Sequence, residues 1–299
     1  MGRGRARGGA GAGVARLAAG LAAALAVAGA ATGQGEAGEE TGWYPPESGV
    51  VELSNTTFLE VVQRSREPVM VKFYYEACKA CQKVSVEYKK AAATWKDLKF
   101  GAVNVLDEGR GGRSLAFHYL SSQKLPNIRI FSPGSKVIDY QGESYEAAAL
   151  AQGLKNAYPK LPNLPNSGAA LEDFAEDASP LRFVLFTDKD KTPFQWQAMA
   201  ARHGRKGNKG VRIIFSSVND AHLKPKAWKA ILAEVSPDSK PPKKEDLPIA
   251  LALGYDERDG RETVWYLPKD APKTVAGLSS WCTEIITKFE AWEAGSAEL

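Results

Sequence analysis

Val69-Met70-Val71-Lys72-Phe73-Tyr74-Tyr75-Glu76-Ala77-Cys78-Lys79-Ala80-Cys81 decides how this chain folds. Its first seven residues are nearly all apolar, the pattern of a strand buried on both faces. Residues 82–97 carry helix formers, so the two cysteines fall where a strand hands over to a helix. Two intervening residues fit one helical turn, which lets the sulfurs meet and close a small ring. The first cysteine then sits at the helix N-terminus. There unpaired N–H groups and the helix dipole stabilise a thiolate. The thiolate is the attacking species in disulfide exchange.

Composition narrows the possibilities. The chain has 299 residues, long enough for two domains and a leader. Its 44% hydrophobic and 25% charged content is that of a globular protein. The formal net charge of +4 comes from Arg3, Arg5, Arg7 and Arg16; without them 35 basic residues face 35 acidic ones. That balance argues against a nucleic-acid partner. Cys78, Cys81 and Cys282 are the only cysteines, too few for a disulfide-stapled scaffold. His118, His203 and His222 are scattered and lack metal-ligand spacing, so no metal site is expected. No cofactor is expected either, because thiols carry the electrons. Cys282, beside Trp281, reads as a packed free thiol.

Outside this region the ends of the chain suggest a route. An Arg/Gly-rich start, an Ala/Leu/Val-rich stretch from Val14 to Ala31 and the small-residue site Ala28-Gly29-Ala30 make residues 1–33 a secretory signal peptide. The same composition suits an organellar transit peptide. An uncleaved anchor is disfavoured, because alanine dominates the apolar stretch. Asn55-Thr56-Thr57 is an N-glycosylation sequon, usable only in the secretory route. Ser296-Ala297-Glu298-Leu299 shares its last two residues with a retrieval signal of the endoplasmic reticulum.

Residues 34–49, rich in Gly, Glu and Pro, read as a linker. A strand at Val50–Leu53 follows, then a helix for which Ser54 to Thr57 offer caps and Thr57 with Glu60 makes a capping box. Strands are expected at 69–75, 100–106, 127–131 and 136–140, and helices at 82–97, 115–121 and 144–158. Residues 159–170 form a second linker, and an acidic helix lies around 171–178. Strands at 181–186, 211–215, 249–253 and 262–266 then alternate with helices at 194–203 and 226–235 and a closing helix at 278–292. The second half repeats the first in fold order, including a Leu-Pro before its third strand, and residues 293–299 form a tail. The class is α/β, with two mixed central sheets flanked by helices.

Residues 50–158 resemble the thioredoxin-like domains of protein disulfide isomerases. The resemblance is carried by Val50-Val51-Glu52-Leu53 with Phe58 and by Phe73-Tyr74 ahead of Cys78-x-x-Cys81. Leu125-Pro126 before a strand, Phe131-Ser132-Pro133-Gly134 and Tyr140-Gln141-Gly142 complete it. It implies that Cys78 is the exposed nucleophile and Cys81 the buried resolving thiol. It also implies that Pro126 follows a cis peptide bond and packs against the disulfide, with Leu125 offering its backbone to an extended substrate. Residues 160–292, with the domain itself at 171–292, resemble the redox-inactive thioredoxin-like domains of the same family. Thr187-Asp188-Lys189-Asp190-Lys191-Thr192-Pro193 stands there in place of the cysteines.

Three departures from the family pattern bear on the chemistry. Lys79-Ala80 replaces Gly-His between the cysteines, and Lys79 can supply part of the lost positive charge, screened if exposed. Ala77 replaces a tryptophan. Lys72 stands where the family has a buried carboxylate beneath the second cysteine. Either Lys72 favours the Cys81 thiolate and makes the disulfide more oxidising, or it snorkels to the surface with no redox role. The leading expectation is a thiol–disulfide oxidoreductase or isomerase of the endoplasmic reticulum lumen. It acts on unfolded or partly folded proteins and is recycled by glutathione or a redox partner protein. A redox-weak chaperone or adaptor, and a plastid or mitochondrial thiol reductase, are the alternatives.

Overall fold

The structure, a computed structural model, describes residues 43–122, 124–134, 137–176, 181–205, 212–233, 236–256 and 261–293. Residues 1–33 and Ser296–Leu299, read above as leader and retrieval signal, lie outside them.

The first half is built on a five-stranded mixed sheet. Its strands are β1 (Val50–Glu52), β2 (Val69–Tyr74), β3 (Lys99–Asn104), β4 (Asn127–Phe131) and β5 (Ile138–Asp139), in the order β1-β3-β2-β4-β5. β1, β3 and β2 run parallel; β4 and β5 are antiparallel to their neighbours. Every residue of β2 is buried, as its unbroken apolar run requires. Alternation along the strand assigns the faces. Val69, Val71 and Phe73 join the cluster under α1 (Asn55–Phe58) and α3 (Gly112–Tyr119). Met70 and Tyr74 join the cluster under α2 (Lys79–Thr94) and α4 (Ala147–Lys155). Lys72 shares that parity and faces α2.

Local chemistry moves several boundaries. Of the caps that Ser54 to Thr57 offer α1, the first is the one used. Ser54, not Thr57, is its N-cap: Ser54 Oγ accepts from Thr57 N, and Ser54 N donates to Thr57 Oγ1 at 2.8 Å. Thr57 and Glu60 therefore form no capping box. Cys78 caps α2, at the helix N-terminus expected of it, and the helix stops before Trp95, whose backbone leaves the helical region. Trp43 and Tyr44, read above as linker, pack on the sheet; Tyr44 is 4% exposed. α3 begins at Gly112, where a Cβ would lie 1.9 Å from the carbonyl oxygen of Asn104, so only glycine lets the helix start so close to β3.

The second half carries a four-stranded sheet of β6 (Leu181–Phe186), β7 (Ile213–Val218), β8 (Ile249–Asp256) and β9 (Arg261–Tyr266), in the order β7-β6-β8-β9. The helices are α5 (Ala169–Ala175), α6 (Phe194–His203), α7 (Pro225–Ile231) and α8 (Val275–Glu293). The sheet follows the β3-β2-β4-β5 order of the first. The counterpart of β1 is reduced to a single parallel bridge between Asn163 and Ser217. Next to it Leu164, expected in a linker, is buried in the core. Both Leu125–Pro126 and Leu247–Pro248 are cis. One contact between the halves is made by Glu67, buried just before β2, whose carboxylate binds Arg202 of α6 at 2.8 Å as well as Lys99 of β3 at 3.2 Å.

Candidate active site

The site begins with Cys78 and Cys81, joined in a disulfide at the head of α2. Cys78 holds the N-cap position, and its Sγ accepts the N–H of Cys81 at 3.1 Å. That hydrogen bond and the free N–H groups of the first turn are the contacts that stabilise a sulfur anion. Cys81 is fully buried (0%), while Cys78 keeps 7% of its surface. Only Cys78 reaches solvent, through a small window rather than the open exposure expected of it. The carbonyl oxygen of Leu125, on the other side of the cis bond to Pro126, lies 4.0 Å from Cys78 Sγ. Lys79 and Ala77 are exposed, so the charge of Lys79 meets water. Asn55 is exposed at the start of α1.

Lys72 does not snorkel. It is 0% exposed on the central strand, and its Nζ donates to Tyr44 Oη (2.6 Å), Ser85 Oγ (2.6 Å) and the carbonyl oxygen of Cys81 (2.9 Å). The same nitrogen lies 5.3–5.9 Å from the ring centroids of Trp43, Tyr44, Tyr74 and Tyr88, which wall it on several sides. Ser85 Oγ in turn donates to the same Cys81 carbonyl at 2.8 Å. Among the described residues no carboxylate touches the ammonium; Glu52 is held instead by Tyr74 Oη. Burial, aided by the charge of Lys89 and opposed by that of Glu52, lowers Lys72 to about 7.

The sequence pointed to Lys72, but not to the cage around it. Tyr44 lies in a stretch that composition assigns to a linker. Its one signal is the aromatic pair Trp43-Tyr44 among glycines, glutamates and prolines, which a solvated linker does not need. Cys282 is buried in α8, away from this chemistry, and burial drives its thiol far above the usual range. Among the described residues no group of His, Cys, Asp and Glu has the arrangement of a metal site.

The second half has a counterpart to this site. Thr187, Asp188, Lys189 and Pro193 follow β6 as the cysteines follow β2, and with Trp196 and Pro248 they line a cleft of about 310 Å³. The segment has no sulfur.

The thioredoxin family model matches residues 49–156. A Dictyostelium discoideum chain that carries the protein disulfide-isomerase name is 31% identical over 165 residues, covering 53% of this chain and 39% of its own length. Protein disulfide-isomerase A6 of Mus musculus is 38% identical over 104 residues, covering 34% of this chain and 22% of its own length. This chain thus spans well under half of either relative. The crystal structure of ERdj5 form II aligns over 81% of this chain and 30% of its own, at 16% identity and a TM-score of 0.41, too loosely to carry an argument. The matched segment holds the cysteine pair, the cis proline and the sheet that positions them, and over it the chain carries a thioredoxin-like domain similar to those of the protein disulfide isomerases.

Proposed function

We propose that the protein is a thiol–disulfide oxidoreductase working through Cys78 and Cys81. The observation that carries this reading is the asymmetry of the pair. Cys78 alone reaches solvent and has an N–H on its sulfur, while Cys81 sits behind it in bonding distance. In the reducing direction the Cys78 thiolate attacks one sulfur of a substrate disulfide. The substrate S–S bond breaks, a mixed disulfide forms, and the other substrate sulfur leaves as a thiolate. The Cys81 thiolate then attacks Cys78 Sγ, releasing the second substrate thiol. The substrate gains two electrons and the Cys78–Cys81 bond is restored. Run backwards, the same steps oxidise a substrate dithiol, and glutathione or a partner protein resets the pair.

Leu125, whose carbonyl oxygen lies near Cys78, and Pro126, joined to it by the cis bond, are assigned to substrate contact. Lys72 and Lys79 are assigned to tuning, Lys72 through the Cys81 turn and Lys79 through a screened charge at the helix start. The substrates are partly folded proteins of the secretory pathway. This reading rests on the leader-like residues 1–33, on the sequon at Asn55 and on the relatives' name. The residues 50–158 form the redox-active half. Residues 171–292, with the sulfur-free cleft around Thr187 and Pro248, supply a second surface for the client chain. Among the described residues no helix is long and apolar enough to cross a membrane.

A glutathione redox titration with alkylation and mass readout of Cys78 and Cys81 tests the reading. The expected result is a reversible two-electron transition at an oxidising potential. Absence of any transition overturns it in favour of a chaperone or adaptor that binds without exchange. A strongly reducing potential, with Asn55 unglycosylated, places the protein in an organelle outside the secretory route.

A further inference from the structure

Helix α3 docks by one stripe and leaves another uncovered. Leu115 and Tyr119, four residues apart, face inward, and Tyr119 stacks on Phe58 with ring centroids 4.9 Å apart and meets Phe131 edge-on. Phe117, between them, points away and is 92% exposed. No other large apolar side chain among the described residues is so open. The ring is not idle surface, because it forms one wall of a cleft of about 470 Å³ whose remaining apolar lining is Val105, Ala116, Leu120 and Leu125. Its polar lining is Arg113, in an exposed pair with Glu108 at 3.0 Å, Ser121, whose Oγ accepts from Arg129, and Ser122. An apolar group finds five apolar walls there.

Leu125 joins this cleft to the disulfide. Leu125 is one of the cleft's lining residues, and its carbonyl oxygen lies 4.0 Å from Cys78 Sγ. A polypeptide whose sulfur is bonded to Cys78 has to pass Leu125. In an extended chain alternate side chains point to opposite faces at about 3.3 Å per residue, so a side chain within about three residues of the substrate cysteine is turned into the cleft.

We propose that this cleft, with Phe117 as its wall, is a specificity subsite that takes an aromatic or branched aliphatic side chain flanking the substrate cysteine. The inference rests on the exchange reading above and names the substrate class of that site: polypeptides with an apolar residue near the reacting sulfur, the kind that a folded protein keeps buried and a partly folded one exposes.

The test compares short disulfide-bearing peptides that differ at one flanking position, Phe against Ser. The rate of mixed-disulfide formation is measured with the trapping variant Cys81→Ser. The Phe peptide is expected to react about tenfold faster, the order that burying one apolar side chain supports. Adding Phe117→Ser should bring the ratio close to one. Val86→Ser, which removes an exposed apolar residue of α2 outside the cleft, should leave the ratio as it was. Equal rates for the two peptides, or a preference that survives Phe117→Ser, overturn the subsite. If no peptide reacts at all, the exchange reading fails. The subsite is then decided by fluorescence anisotropy with sulfur-free peptides carrying Ser for Cys. Weaker binding of the Phe peptide to Phe117→Ser supports it, and unchanged binding overturns it.

Discussion

At the scale of single residues the chemistry depends on two sulfurs and one amine. Replacing Cys81 by serine removes the resolving thiol but leaves Cys78 and its N-cap position. This variant should accumulate mixed disulfides that mass spectrometry detects, whereas Cys78→Ser should form none. Lys72 makes two further predictions. Its charge lies beside the Cys81 turn and favours a thiolate there, so Lys72→Glu should shift the glutathione equilibrium towards a more reducing potential. An unchanged potential would remove Lys72 from the redox chemistry. Stability gives an independent reading. The unfolded lysine titrates near 10.5 and the folded one near 7, so between these values unfolding takes up a proton and stability rises with pH. Below 7 both states are charged and the cost of burying the ammonium stays in full. Urea unfolding of the oxidised protein at pH 7 and pH 9 should therefore show a gain in the wild type that Lys72→Met lacks; parallel curves would show that Lys72 does not titrate in this window.

At the scale of elements, caps and glycines set where the helices begin. Ser54 and Thr57 exchange reciprocal hydrogen bonds at the start of α1, the helix that carries Phe58 into the core. Ser54→Ala should cost about 1 kcal/mol, seen as a lower urea midpoint at unchanged slope. Strand β2 shows how far a sequence can be read at this scale. Its apolar run and its alternation already place Met70, Lys72 and Tyr74 on one face, so Lys72 had to lie under the helix that bears Cys81. Whether it reached solvent was a different matter. That depended on Tyr44, Ser85 and Tyr88, which come from an N-terminal segment and from two turns of α2 and meet only in the folded protein.

At the scale of the whole molecule, Glu67 ties the two halves together. It is 4% exposed, sits just ahead of the central strand of the first sheet and binds Arg202 of the second half as well as Lys99. The hydroxyl of Tyr158, next to the segment that joins the halves, lies 3.4 Å from the same carboxylate. Glu67 is buried but Arg202 and Lys99 keep 26% and 41% of their side-chain surface, so Glu67→Ala breaks the bonds without stranding a buried charge and should destabilise the protein by about 1–2 kcal/mol in denaturant unfolding. A loss below about 1 kcal/mol, the worth of an exposed pair, would show that water screens these charges. Tyr158 and Phe194, ring edge to face at 5.0 Å, make the neighbouring apolar contact.

What the sequence determined by itself is the part of this protein that local and periodic physics specify. The buried run of β2, the Cys-x-x-Cys at a strand end, the two Leu-Pro steps and the repeated order of strands and helices are all patterns within a few residues or at fixed period. The tertiary structure alone decided what distant segments do when they meet. Trp43 and Tyr44 have linker neighbours and become the wall of a lysine cage. Leu164 has prolines on either side and becomes core. Phe117 sits in an ordinary amphipathic helix and is left facing a cleft, because Leu115 and Tyr119 take the only buried stripe. Each of these outcomes is set by which surfaces remain to be covered once the sheets have formed, and that information is held in the assembled fold rather than in any short stretch of chain.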